Sequence, residues 1–129
     1  MPLTINYEIV KLSPVDSSSV DFNTIIFRMK TNGIIDTENS SELSLQLNTL
    51  VRGGVLKILF DMKGLESIDS SGIGVIINSA KTLRSNNGDL VLTNVSQEIK
   101  NIFRTISLQN FIRVFNTDAE AENHFRFIV

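Results

Sequence analysis

The sequence predicts a single α/β domain over residues 1–129, built on a mixed sheet of four or five strands with about four helices. Three observations lead there. Strand-like and helix-like periods alternate in the order β, β, α, β, α, β, α, β, α, and such alternation builds parallel strands joined by helical crossovers. The first two strand-like segments adjoin with only a loop between them, which suits an antiparallel hairpin. A later stretch, Val55-Leu56-Lys57-Ile58-Leu59-Phe60, is apolar on both faces apart from its lysine. That is the pattern of a strand covered on each side, so it takes the centre of the sheet.

The elements follow in order. Leu3, Ile5, Tyr7 and Ile9 alternate with polar residues, as a half-buried strand requires, until Pro14 ends the run. Residues 13–22 form a serine-rich loop. Asn23 to Thr31 gives the second strand, and Ile34-Ile35 continues it beyond Asn32-Gly33 through a bulge or bend. Leu43, Leu47, Leu50 and Val51 fall at i, i+4, i+7 and i+8, and Gly53-Gly54 stops this first helix. After the central strand and a loop, Ile73, Ile76, Ile77, Ala80 and Leu83 recur at helical spacing while Asn78, Lys81, Thr82 and Ser85 face away. Asn86-Asn87-Gly88 ends that helix, and Leu90-Val91-Leu92 is a short strand. Ser96 caps a third helix with Ile99, Ile102, Phe103 and Ile106 on one stripe, and Ile112 to Phe115 is another strand. Thr117-Asp118-Ala119-Glu120 has the form of a capping box and opens a last helix carrying Ala121, Phe125 and Ile128.

Composition excludes several functions. With 129 residues one core accounts for the chain, and no repeat or Pro/Gly-rich linker divides it. The formal charge is −2 with acids and bases interspersed, which leaves no basic footprint for nucleic acid and no polybasic membrane patch. There is no cysteine and one histidine, so thiolate and histidine-rich metal sites are excluded. The start, Met1-Pro2-Leu3-Thr4-Ile5-Asn6, lacks a basic region followed by a long apolar one, and no apolar run is long enough to span a bilayer. A soluble, cytoplasmic protein is the expectation.

The segment that carries chemistry is Ile68-Asp69-Ser70-Ser71-Gly72-Ile73-Gly74, where extended chain runs into the first turn of a helix. The first backbone N–H groups of a helix lack internal partners and its dipole puts about +0.5 charge there, so an anion added to Ser70 is expected to be held. The bland role of Asp69-Ser70-Ser71 is an N-cap. Gly72 and Gly74, without side chains, would let another protein's backbone approach.

These seven residues resemble the Asp-Ser-Ser/Thr-Gly-Leu-Gly motif of anti-sigma factor antagonists, bacterial STAS-domain proteins that a partner serine kinase switches off by phosphorylation. Ile73 replaces the usual Leu, a volume-conserving change. Gly33-Ile34-Ile35-Asp36 resembles the family's Gly-x-Leu/Ile-Asp segment, Leu56 to Asp61 its central strand, and Thr93-Asn94-Val95-Ser96 its strand-to-helix turn, followed by Ile99, Phe103 and Leu108. The likeness runs from about Asn23 to Phe125. Two departures stand out: Ser13 to Phe22 is longer and more serine-rich than the family's first hairpin, and Ser107 stands where a Gly often precedes the Leu.

The resemblance implies a phosphorylation site at Ser70 and a partner surface of Asp36, Asp69, Ser70, Ser71, Gly72, Ile73, Gly74 and Asn94. It implies a kinase-type anti-sigma factor as partner, with a serine phosphatase to reset the switch, no cofactor of the chain's own, and a monomer or weak dimer. A scaffold role in a stress-signalling or ABC-type lipid-transport assembly is the alternative within the same superfamily. Asp36 has a bland role as well, capping the turn into the first helix, and Asn94 could be a turn residue.

Other chemistries find little support. Gly72-Ile73-Gly74 lacks the third glycine of a dinucleotide fingerprint, and neither a phosphate-binding Gly-x-x-x-x-Gly-Lys-Ser/Thr loop nor a Gly-x-Ser-x-Gly elbow occurs. A serine nucleophile would need a base, and the lone His124 reads as a solvated helix residue. Asp61, Glu66 and Asp69 could bind Mg²⁺, yet surface acids and a cap explain them.

Overall fold

A computed structural model describes residues 3–12 and 21–127. Its strands are β1 (Thr4–Lys11), β2 (Ile25–Ile35), β3 (Lys57–Ile68), β4 (Asp89–Thr93) and β5 (Val114–Phe115). The helices are α1 (Ser40–Arg52), α2 (Ser70–Ser85), α3 (Gln97–Thr105) and α4 (Asp118–Phe127), with a 3₁₀ turn at Leu108–Asn110. The five strands lie side by side in chain order, β1 antiparallel to β2 and every later pair parallel. The hairpin, the mixed sheet and the central β3 are as the sequence predicts. The residues 13–20 of the serine-rich loop, and Ile128, lie outside the described residues.

Alternation along β3 explains the two layers. Ile58 and Phe60 join one core with Met29, Leu43, Leu47, Ile76 and Leu83, under α1 and α2. Leu59 points the other way, into a smaller core with Ile26, Val91, Ala121 and Phe125 under α4. Each such side chain withdrawn from water stabilises the fold by about 1.5–3 kcal/mol. The lysine in this apolar strand is accommodated rather than exposed: Lys57 is buried and its Nζ donates to the carbonyl of Asn23 at 2.6 Å, while burial pushes its pKa down.

Three expectations need correction. Residues 61–68 continue β3 instead of forming a loop, pairing with β2 as far as Ile35 beside Ile68. The register slips twice, between Lys30 and Asn32 and between Gly33 and Ile34, so the buried residues Met62, Leu65 and Ile68 fall at intervals of three and hide the period of two. On α3 only Ile99 and Phe103 are buried, whereas Ile102 and the C-cap Ile106 are exposed, because this nine-residue helix packs chiefly on the 3₁₀ turn that follows it and covers little of the sheet. The last strand is correspondingly short: Ile112 packs as core ahead of it, and only Val114 and Phe115 pair with β4.

Candidate functional site

Parallel pairing of β2 with β3 brings two similar tripeptides together. Ile35-Asp36-Thr37 and Ile68-Asp69-Ser70 both end a strand and enter a helix, and Ile35 is the direct neighbour of Ile68. The Asp69 N–H donates to the Ile35 carbonyl at 3.0 Å, which ties the two loops. The N-termini of α1 and α2 therefore open on the same edge of the molecule.

Asp36 fixes its own loop. Its Oδ1 accepts from the N–H groups of Glu38 at 3.0 Å and Asn39 at 3.3 Å, and Asn39 answers by accepting from the Asp36 N–H at 2.9 Å and donating to the Ile34 carbonyl at 2.7 Å. The capping role read from the sequence holds. Asp36 keeps partial exposure.

Asp69 does more. Its Oδ1 accepts from the N–H groups of Ser71 at 3.0 Å and Gly72 at 3.2 Å and from the Ser71 hydroxyl, while Oδ2 accepts from the hydroxyl of Thr37 at 3.3 Å. The Ser71 hydroxyl above all, then the two backbone N–H groups and Thr37, hold the Asp69 carboxyl below the usual carboxylate range. Ser71 is thus committed as a donor. Ser70, the first residue of α2, is exposed and its hydroxyl makes no protein hydrogen bond among the described residues.

One expectation changes here. The N–H groups of Ser71 and Gly72, which would have received an anion on Ser70, are already taken by Asp69. An anion at Ser70 keeps the favourable helix dipole but meets a neighbouring carboxylate.

The two glycines play different parts. A Cβ on Gly72 would come within 2.4 Å of Ile35 Cγ2 and 2.9 Å of Ile68 Cγ1, so its missing side chain lets α2 press on its own sheet rather than admitting another protein. A Cβ on Gly74 would meet nothing within 4 Å, and this position is open. Ile73 is buried in the core beneath them. Of the expected surface, Asp36, Asp69, Ser70, Ser71 and Gly74 present atoms to solvent, while Gly72 and Ile73 set the position of the helix.

Asn94 belongs to a second cluster. It adopts φ 56°, as its turn reading implies, and its Nδ2 donates to Asp61 Oδ1 at 3.0 Å and Asp118 Oδ1 at 3.2 Å. Asp61 is not the surface acid the sequence suggested: it is buried and pairs with Arg28 at 2.9 Å, and Arg28 also pairs with Asp118. Burial pushes the Asp61 carboxyl up, but the Lys63 N–H, Asn94 and Arg28 outweigh it and hold the group low. His124 is likewise not solvated. Its side chain is 13% exposed, its Nε2 lies 3.2 Å from Asp89 Oδ2, and its ring packs against Phe115 and Phe125.

Sequence reading missed Thr37, whose hydroxyl joins the two loops through Asp69, and the signal was the repeated Ile-Asp-Ser/Thr pattern. No group of three or more His, Asp or Glu side chains suited to a metal ion occurs among the described residues. Nor is any helix among them long and apolar enough to cross a membrane.

The family model of the STAS domain matches residues 17–121. An anti-sigma-B factor antagonist of Staphylococcus aureus is 26% identical over 96 residues, 74% of this chain and 88% of the relative. Among solved structures, TM1081 of Thermotoga maritima superposes with a TM-score of 0.79 at 23% identity, covering 95% of this chain and 94% of that one. SpoIIAA, described as an anti-sigma factor antagonist in its unphosphorylated form, gives 0.65 at 20% identity over 95% of this chain and all of its own. The phosphorylated form of the Bacillus protein gives 0.62 at 19% identity, covering 92% and 98%.

Proposed function

Because this chain belongs to the STAS domain family, we propose that it is an anti-sigma factor antagonist whose binding is switched by phosphorylation of Ser70. In the unmodified state it docks on a kinase-type anti-sigma factor and so frees a sigma factor, and the docking surface is the edge shared by the Asp36 loop and the start of α2, with Asn94 at its periphery. The kinase then transfers the γ-phosphoryl group of its own ATP to Ser70 Oγ. A new P–O bond forms at Ser70 as the bond to the ADP oxygen breaks, and the hydroxyl proton passes to a base on the kinase. A serine phosphatase reverses the step, and all of this takes place in the cytoplasm. The chain itself is substrate and ligand rather than enzyme.

The observation that carries this reading is the contrast between two adjacent serines. Ser70 is exposed at a helix start with its hydroxyl unengaged, whereas the Ser71 hydroxyl is held by Asp69. A hydroxyl already donating to a carboxylate must break that bond before it reaches an in-line attack geometry, so Ser70 is the easier acceptor. The relatives named anti-sigma factor antagonists support the choice of partner.

The test is reconstitution. Incubated with ATP and Mg²⁺ alone, the pure protein should keep its mass. Addition of its cognate kinase should add one phosphate, mapped by peptide mass spectrometry to Ser70 and absent from Ser70→Ala. Nucleotide turnover by the protein alone would overturn the reading.

A further inference from the structure

We propose that the cleft at the far end of α2 from Ser70 is a binding site for a small phosphate-bearing ligand, seated between the guanidinium groups of Arg84 and Arg113. The cleft measures about 470 Å³ and is walled by the end of α2, the start of β4, the segment from Gln109 to Arg113, and His124 of α4. That volume falls within the range of small-molecule sites, about 300–1,000 Å³.

Its electrostatics are set by one buried carboxylate. Asp89 Oδ1 accepts from Arg84 Nε at 3.1 Å and from the Leu90 N–H at 2.9 Å, and Oδ2 faces His124 Nε2 at 3.2 Å. Asp89 is 7% exposed, so it orients Arg84 and His124 from behind and has little surface left to meet a ligand. Arg84 is engaged only through Nε, leaving its Nη groups without a hydrogen bond among the described residues. Arg113 makes no ion pair and no side-chain hydrogen bond among them. Two guanidiniums against one carboxylate leave the cleft with an excess positive charge in a chain of net charge −2.

The rest of the lining is what an anionic ligand needs around its charge. Asn87, Gln109 and Asn110 offer amides, and the ring of Phe111 is 44% exposed. Guanidinium groups present planar N–H forks that match phosphate oxygens, and two arginines line this cleft with no second carboxylate among the described lining residues. The site lies a helix length from Ser70, roughly 24 Å for sixteen residues. It is therefore separate from the phosphorylation surface.

The experiment is a titration of the full chain with inorganic pyrophosphate at fixed ionic strength, followed by amide NMR and calorimetry. The expected result is saturable one-to-one binding with shifts at Gly88, Asp89, Phe111 and Arg113 and none at Ser70. Arg113→Gln, which breaks no ion pair or side-chain hydrogen bond among the described residues, should weaken binding by about tenfold or more, and Arg52→Gln on α1 should leave it unchanged. Absence of saturation, unchanged affinity in Arg113→Gln, shifts centred on Ser70, or citrate binding as tightly as pyrophosphate would overturn the proposal.

Discussion

The hydroxyl of Ser71 donates to Oδ1 of Asp69, whereas that of the adjacent Ser70 makes no protein hydrogen bond among the described residues. Replacing Ser71 with Ala should keep phosphate acceptance at Ser70 while weakening the cap. Replacing Asp69 with Ala should unfasten four donors at once and lower the thermal midpoint more than Ser71→Ala does. Phosphate mapping on the two variants, alongside melting curves, checks both statements.

Gly72 and Gly74 separate packing from access. Gly72→Ala drives a methyl into Ile35 and Ile68 and should destabilise by about 1–3 kcal/mol. Gly74→Ala meets nothing and adds helix propensity, so it should stabilise by about 0.5–1 kcal/mol. Urea denaturation reads both. Gly74→Trp should leave stability nearly unchanged and still weaken partner binding.

At Ser107 the departure from the family pattern carries a backbone cost. This residue sits at φ 56°, in the left-handed region where a Cβ is strained and glycine is free. Ser107→Gly should therefore raise stability by about 0.5–1 kcal/mol, read from the urea midpoint.

Much of this was legible before any coordinates, and what was not has physical reasons. The start of α2 at Ser70 and the capping box at Thr117 were readable because caps are local: Thr117 Oγ1 accepts from the Glu120 N–H at 3.2 Å, three residues on. The second half of β3 was hidden because two slips in register break the period of two. Burial of Asp61 and His124 depends on Arg28, Asn94 and Asp89, each more than thirty residues away, which no window on the sequence brings together. The exposed Ile102 and Ile106 show the limit of a stripe: it says what a helix could cover, not whether a sheet lies beneath it.

The two carboxylates held low predict how the fold responds to acid. For Asp61 and Asp69 the folded pKa lies below the unfolded one, about 3.9, so their stabilisation is fully present above that value. It is lost as pH falls through the lower folded values. Asp61→Asn should destabilise at neutral pH by about 2–3 kcal/mol, because Arg28 keeps Asp118 but loses its buried partner. Its stability should then change less than that of the unmodified protein between about pH 4 and pH 2, as chemical denaturation across that range would show.

Phosphorylation at Ser70 would place about −1.5 to −2 charge beside Asp69, on a helix dipole that favours it. These oppose each other locally, so the backbone should persist and the effect should fall on the interface, where like charges cost several kcal/mol. The direct test is the affinity of the cognate kinase-type anti-sigma factor for the unmodified and the Ser70-phosphorylated protein, with amide spectra recorded for both. Phosphorylation should weaken binding by about a hundredfold or more and leave the fold unchanged. Equal affinity, or phosphate found only on Ser71, would contradict it.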